Sequence, residues 1–100
     1  GASYKAYIET VPGSGGMMGT RPTGRPHGIK VDTSGNIYVI DIFYAAIFIY
    51  DSSLEFQQTM GEYGSDTGKF RSPTDLAIMN DGSILVTNTR NRRIEKLNGI

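Results

Sequence analysis

The chain has 100 residues, of which 10 are basic and 10 acidic, so its formal net charge is zero; this balance argues against a general binder of nucleic acid or of anionic membranes. It contains no cysteine, which excludes disulfides, iron–sulfur clusters and thiol nucleophiles. No apolar run approaches the ~18 residues of a membrane span. Thirteen glycines, four prolines and no long segment with a 3.6-residue period favour an all-β protein with many turns.

The predicted elements are short strands. Residues 1–3, Gly-Ala-Ser, have the character of a processed or engineered start. Residues 4–11 alternate as a strand does, and a glycine-rich loop follows up to residue 25. The next four strands are predicted at residues 28–32, 37–41, 46–51 and 54–60. Three more are predicted at residues 75–79, 84–88 and 93–97.

An internal repeat organises these strands. Residues from 26 onward align without a gap with residues from 73 onward, at the 47-residue offset that separates Pro26 from Pro73. Four further pairs are identical across this offset: Gly35/Gly82, Ile37/Ile84, Val39/Val86 and Ile47/Ile94. A period of 47 residues fits one four-stranded blade of a β-propeller, for which ~40–50 residues are typical.

The repeat predicts about two four-stranded blades per chain. We assign residues 26–60 to a first blade, 61–72 to an inter-blade loop and 73–100 to a second blade that lacks its outer strand. We assign residues 4–25 to an outer strand and loop that complete a neighbouring blade. Because a ring needs typically ~4–8 blades, we expect closure by self-assembly, with a homotrimer forming a six-bladed ring. The alternative is that the chain is a piece of a longer propeller.

The repeats carry a family resemblance. The pattern Pro-His-Gly-Ile-x-Val-Asp at residues 26–32, followed by Gly-Asn-Ile-Tyr-Val at residues 35–39, resembles the NHL repeat. So does Gly-Lys-Phe-Arg-Ser-Pro-Thr-Asp-Leu-Ala at residues 68–77. The resemblance implies a β-propeller. It does not select a function, since NHL propellers include enzymes, RNA binders and protein-interaction platforms.

The Pro-His-Gly start also resembles the propeller of peptidyl-α-hydroxyglycine α-amidating lyase. In that family, histidines of Pro-His motifs on alternate blades hold zinc near the ring axis. His27 matches such a position and Thr74 does not. The tyrosine of the lyase is not matched, because Arg90 or Asn91 stands at that place.

We expect a non-catalytic scaffold or binding module that presents its loops and a central channel to a protein, peptide or small-molecule ligand. The candidate surface consists of His27, Phe43, Tyr44, Arg90 and Asn91. One alternative is a zinc-dependent, lyase-like enzyme in which three symmetry copies of His27 supply the about three protein ligands that catalytic zinc requires. A second alternative is RNA binding through an arginine-rich face, formed by Arg90, Arg92 and Arg93 with Arg21, Arg25 and Arg71.

Aspartates recur near the ends of the predicted strands, at Asp32, Asp41 and Asp51. Carboxylates at such places could ligate calcium. We expect instead that they accept hydrogen bonds from backbone N–H groups and so close turns. Asn88 stands at the position equivalent to Asp41, and an amide in place of a carboxylate favours this structural role.

Overall fold

The computed structural model of the protein describes residues 24–100. It contains seven strands and one short 3-10 helix. The first four strands are β1 (Pro26–Val31), β2 (Ile37–Asp41), β3 (Ala46–Tyr50) and β4 (Phe56–Met60). The remaining strands are β5 (Pro73–Ile78), β6 (Ile84–Asn88) and β7 (Arg93–Leu97), and the helical turn covers Thr89–Asn91. The predicted all-β class is confirmed.

The strands form two antiparallel meanders. The first sheet has the order β1-β2-β3-β4, and the second has the order β5-β6-β7. Corresponding residues pair in the same register in both sheets: Val39 lies opposite Phe48, and Val86 lies opposite Glu95. The 47-residue repeat seen in the sequence is therefore also a repeat of hydrogen-bonding register, and the two sheets are compatible with neighbouring blades of a β-propeller.

Two apolar clusters hold the structure together. The larger lies between the sheets and consists of Tyr38, Ile40, Ala45, Ile47, Ile49, Phe70, Leu76, Ile84 and Val86. The sheets meet chiefly through the inner strands β1, β2 and β5. The smaller cluster, on the other face of the first sheet, consists of Val39, Ala46, Phe48 and Tyr50. Strands β2 and β3 are thus apolar on both faces because both faces are buried.

Equivalent turns follow β1 and β5. Gly35 and Gly82 both have φ of 88°, in the left-handed region that glycine enters without the steric cost of a side chain. A carboxylate closes each turn: Asp32 Oδ1 accepts the backbone N–H groups of Ser34 and Asn36, and Asp81 Oδ1 accepts that of Ser83. Each turn therefore rests on one positive-φ glycine and one aspartate.

Three strands begin at residues other than predicted, and β1, β3 and β5 each end one residue earlier than predicted. Strands β1 and β5 begin two residues earlier than expected, because pairing continues past a bulge in each strand. Strand β4 begins at Phe56, two residues later, because Leu54 adopts φ of 67° within the preceding turn. The helical turn after β6 was not predicted. The predicted strand at residues 4–11 and the assignment of residues 1–3 lie outside the described part of the chain. No helix in residues 24–100 is long and apolar enough to cross a membrane.

Candidate functional site

The candidate residues lie at one end of the two sheets. His27 is near the start of β1, whereas Phe43 and Tyr44 follow the end of β2, which pairs with that start. Arg90 and Asn91 occupy the same place in the second sheet, just after β6. We call this end of the sheets the rim. Backbone hydrogen bonds join the loops of the rim within each sheet, from Ile42 to Arg25 and from Arg90 to Arg71.

His27 connects the two sheets at the rim. It is the extra residue of the bulge between Pro26 and Gly28, and Thr74 is the extra residue of the corresponding bulge in β5. A β-bulge changes the direction in which the side chain of the extra residue points. The Nδ1 atom of His27 lies 2.8 Å from the carbonyl oxygen of Thr74. Because a carbonyl oxygen only accepts, Nδ1 carries the proton, and in the neutral ring Nε2 is left as an acceptor.

Three threonine hydroxyls cluster around Thr74, the residue whose carbonyl oxygen accepts from His27, and the sequence pattern did not indicate them. Thr74 Oγ1 lies 2.8 Å from Thr89 Oγ1 and 3.3 Å from Thr87 Oγ1. Thr87 Oγ1 also donates to the carbonyl oxygen of Asp75 at 3.1 Å. The cluster adds exposed donors and acceptors to the rim. The 47-residue offset could have indicated Thr74, since it is the repeat equivalent of His27.

An aromatic pair forms the first-sheet side of the rim. Phe43 is 51% exposed. Its ring packs edge-on against the Tyr44 ring, with ring centroids 4.9 Å apart. The Tyr44 ring in turn packs at a tilt against the Phe48 ring, with centroids 6.1 Å apart. Asp41 Oδ1 accepts the backbone N–H of Tyr44 at 2.9 Å and so fixes the start of this loop. The pair offers an apolar surface in a fixed orientation.

Arg90 and Asn91 differ in their surroundings. Arg90 is exposed, in the helical turn. The Nδ2 atom of Asn91 donates to the carbonyl oxygens of Gly64 at 2.8 Å and Lys69 at 3.3 Å, so this side chain braces the inter-blade loop. Sequence alone does not show this role, because the contacts span 27 and 22 residues.

The arginines predicted as an RNA-binding face also differ in their surroundings, since some are bound to neighbouring residues and others are exposed. Arg93 Nη2 donates to the carbonyl oxygens of Ser65 and Asp66, and its Nε atom pairs with Glu95. The guanidinium of Arg71 lies 6.0 Å from the ring centre of Tyr63. Arg25, Arg90 and Arg92 are exposed, and Arg21 lies outside the described residues.

The opposite end of the sheets carries turn-closing carboxylates. Asp32 Oδ2 accepts from the Tyr38 hydroxyl at 2.9 Å. Burial alone would raise the pKa of Asp32, but hydrogen bonds from Asn36, Tyr38 and Ser34 outweigh it and lower the pKa. Burial and the bond to Asp32 raise the pKa of Tyr38 to about 12.

The predicted turn-closing role of the aspartates is confirmed. Asp51 Oδ1 accepts the backbone N–H groups of Ser53 and Glu55, as Asp32 does in its own turn. Within residues 24–100, no three His, Cys, Asp or Glu side chains gather closely enough to hold a metal ion.

Two antiparallel meanders with one repeated register form an all-β architecture that is compatible with two blades of a β-propeller. The family model of the NHL repeat matches residues 70–97, which contain the whole second sheet and the end of the loop before it. The resemblance to the NHL repeat found in the sequence is thereby confirmed. No curated protein matches the chain.

Proposed function

We propose that the chain contributes two adjacent blades to a closed NHL propeller, which acts as a non-catalytic scaffold or binding module and presents the rim to a protein, peptide or small-molecule ligand. One observation carries the proposal: apolar side chains that are exposed on β1 of the first sheet and on the outside of the second sheet are repeat equivalents of side chains buried between the sheets.

The buried interface between the two sheets is the contact that the proposed junction between copies would repeat. On the first-sheet side, Ile40 and Ile47 are fully buried. On the second-sheet side, Leu76 is 3% exposed. Because Pro26 and Pro73 define an offset of 47 residues, each of these positions has an equivalent in the other sheet.

The equivalent positions on the outside of the second sheet form what we call the outer face, which consists of Ala77, Leu85, Thr87, Ile94 and Lys96. Ile94 is 68% exposed, although its equivalent Ile47 is fully buried. The face includes an apolar depression bordered by Ala77, Leu85 and Ile94. A surface of this kind, flanked by a charged residue, is typical of an interaction site.

The complementary surface lies on β1. Ile29 and Val31 are the equivalents of Leu76 and Ile78, and each is 60% exposed. If the outer face of one copy packs on Ile29 and Val31 of the next, the buried interface is repeated at the junction. Repetition of one rotation closes a ring, and three copies give six blades. The loops of every blade then surround one channel, where propellers bind their ligands.

A pair of variants tests the assembly. Ile94→Asp places a charge on the outer face, and Met79→Asp changes a residue that is 43% exposed in the turn after β5, away from that face. We expect Ile94→Asp to convert the assembled protein to single chains in sedimentation velocity, whereas Met79→Asp stays assembled. If both variants sediment like the unchanged chain, the proposed junction is wrong.

A second candidate function is zinc binding by three copies of His27 on the ring axis. The hydrogen bond from Nδ1 to the Thr74 carbonyl oxygen favours it, because metal-binding histidines commonly donate the other ring N–H to such a group. When bound, zinc would polarise a substrate carbonyl or acidify a water molecule. We expect one zinc per three chains and none in His27→Ala. A metal content that His27→Ala leaves unchanged would refute this candidate.

A further inference from the structure

Charge is distributed unequally between the two ends of the sheets, although the chain as a whole is neutral. The four loops of the rim contain five basic side chains and two acidic ones, whereas the three turns at the opposite end contain four acidic side chains and no basic one. The loops of the rim are residues 24–25, 42–45, 61–72 and 89–92, and the opposite turns are residues 32–36, 51–55 and 79–83. An anionic ligand is therefore attracted to the rim and repelled from the opposite end.

Most of the basic side chains of the rim loops have no carboxylate partner. Lys69 is the exception, because its Nζ atom lies 3.6 Å from Glu62 Oε1 and 3.9 Å from Asp66 Oδ2 and so pairs with both carboxylates of these loops. Among residues 24–100, no ion pair involves the arginines of the rim loops, which are Arg25, Arg71, Arg90 and Arg92. Their guanidinium groups are available to a ligand from outside the chain.

Three of these arginines come from two loops that are tied together in the second sheet. The backbone N–H of Arg90 donates to the carbonyl oxygen of Arg71 at 3.0 Å, and that of Arg92 donates to the carbonyl oxygen of Thr89 at 3.1 Å. We call Arg71, Arg90 and Arg92 the arginine cluster. A guanidinium group is a planar fork of N–H donors that matches the two oxygens of a carboxylate.

The repeat shows that the fold does not require this cluster. At the 47-residue offset that relates Pro26 to Pro73, the first sheet has uncharged residues in place of all three arginines, namely Gly24, Phe43 and Ala45. The rim is therefore basic on the second sheet and aromatic on the first, where Phe43 is 51% exposed. The contact from His27 Nδ1 to the carbonyl oxygen of Thr74 joins the two sheets at this end, so the basic and aromatic surfaces adjoin.

We propose that the rim binds an acidic segment of a partner protein, whose carboxylates pair with the arginine cluster and whose neighbouring apolar side chain packs on Phe43. This inference rests on the proposed binding role of the rim and names the chemical class of its ligand. RNA suits the surface less well, because a phosphate backbone follows a continuous basic groove and the aromatic loop of the first sheet interrupts the basic surface. Bases also need open ring faces for stacking, whereas the guanidinium of Arg71 lies over the Tyr63 ring and the Phe43 ring packs against Tyr44.

Binding of short synthetic peptides to the full chain tests the proposal. The probe is a fluorescent peptide of glutamate and leucine, and its control has glutamine in place of every glutamate. The rim variant combines Arg90→Gln with Arg92→Gln, and the control variant combines Thr33→Glu with Asn80→Glu, which makes the same change in net charge on exposed residues of the opposite turns. We expect fluorescence anisotropy to show binding of the acidic peptide that weakens about tenfold in the rim variant, is unchanged in the control variant and falls with added salt.

Several outcomes overturn the inference: no binding of the acidic peptide, equal binding of the glutamine peptide, or equal losses in the rim and control variants. Tighter binding of a single-stranded RNA of the same charge overturns it in favour of RNA. Thermal midpoints of both variants close to that of the unchanged chain show that they are folded. The solution mass separates this inference from the ring. A particle of three chain masses that binds no acidic peptide refutes the inference alone, whereas a single-chain mass with binding that the rim variant weakens refutes the ring alone.

Discussion

Replacing Asn88 by aspartate exchanges the side-chain NH2 group for an oxygen and tests how the loop at residues 61–72 is attached to the second sheet. Asn88 is fully buried at the end of β6. Its Oδ1 atom accepts the backbone N–H of Arg71 at 2.9 Å, and its Nδ2 atom donates to the carbonyl oxygen of Lys69 at 2.8 Å. Aspartate keeps the first bond but places a charged oxygen against the carbonyl oxygen of Lys69.

The expected loss of stability follows from the lost hydrogen bond between Asn88 Nδ2 and the carbonyl oxygen of Lys69. A neutral hydrogen bond contributes about 1 kcal/mol, and leaving buried polar groups unpaired costs about 1–3 kcal/mol more. We therefore expect Asn88→Asp to lower the free energy of unfolding by about 2–4 kcal/mol at neutral pH. Burial raises the pKa of the new carboxyl in the folded state. The folded state then binds a proton on this carboxyl more tightly than the unfolded state does. The loss of unfolding free energy should therefore be largest at neutral pH and shrink as the pH falls below the folded-state pKa.

The equivalent position in the first sheet supplies a matched variant. Asp41 is fully buried; its Oδ1 atom accepts from the backbone N–H of Tyr44, and its Oδ2 atom has no hydrogen-bond partner among residues 24–100. Asp41→Asn keeps the bond to Tyr44 and exchanges an unpaired oxygen for an unpaired NH2 group, so no hydrogen bond is lost and we expect it to cost less than Asn88→Asp.

Urea unfolding of both variants, at one protein concentration and at neutral and acid pH, measures these effects. The reasoning fails if Asn88→Asp lies within about 0.5 kcal/mol of the unchanged protein. It also fails if Asp41→Asn is the more damaging substitution.

Three further predictions concern the turns and the loop. Tyr38→Phe should cost about 1 kcal/mol in urea unfolding. In the unchanged protein an absorbance titration should show a tyrosine that ionises near the Tyr38 pKa of about 12 and that is lost in Tyr38→Phe; no difference between the two titrations at high pH would contradict the raised pKa. Because the folded pKa of Asp32 is lowered, its stabilisation is present above the unfolded pKa and lost as pH falls through the folded one; Asp32→Asn should therefore flatten the acid side of the stability curve, and an unchanged slope would refute this. Gly61→Ala would bring Cβ within 2.3 Å of the buried Phe70 ring, whereas at Gly68 nothing lies within 4 Å of the added Cβ. Since both glycines have positive φ, either alanine variant should lose about 1–2 kcal/mol through the backbone conformation, and Gly61→Ala should lose about 1–3 kcal/mol more through the clash. Equal thermal midpoints for Gly61→Ala and Gly68→Ala would contradict this.

The sequence predicted the middle strands well because their signal is strong. Residues 37–41, 84–88 and 93–97 coincide with β2, β6 and β7, which are bounded by turns and align with the other repeat across the 47-residue offset. Strands β1 and β5 started earlier than expected because periodicity does not reveal the bulges at His27 and Thr74. A bulge inserts a residue that alternation alone cannot place.

The candidate site was predictable in position but not in its contacts. The repeat placed Phe43 and Tyr44 after one strand and Arg90 and Asn91 after its equivalent. The structure brings these four residues and His27 to the same end of the sheets. The bond from His27 to the Thr74 carbonyl oxygen joins two sheets, and the bracing role of Asn91 depends on how the inter-blade loop folds back. Such long-range contacts follow from packing, which a pattern of residue types does not specify.

The solution mass of the unchanged 100-residue chain, measured by light scattering over a range of concentrations, tests the central claim most directly. Ring closure predicts a particle with the mass of three chains that persists on dilution. A stable particle with the mass of one chain, at every concentration, would contradict it.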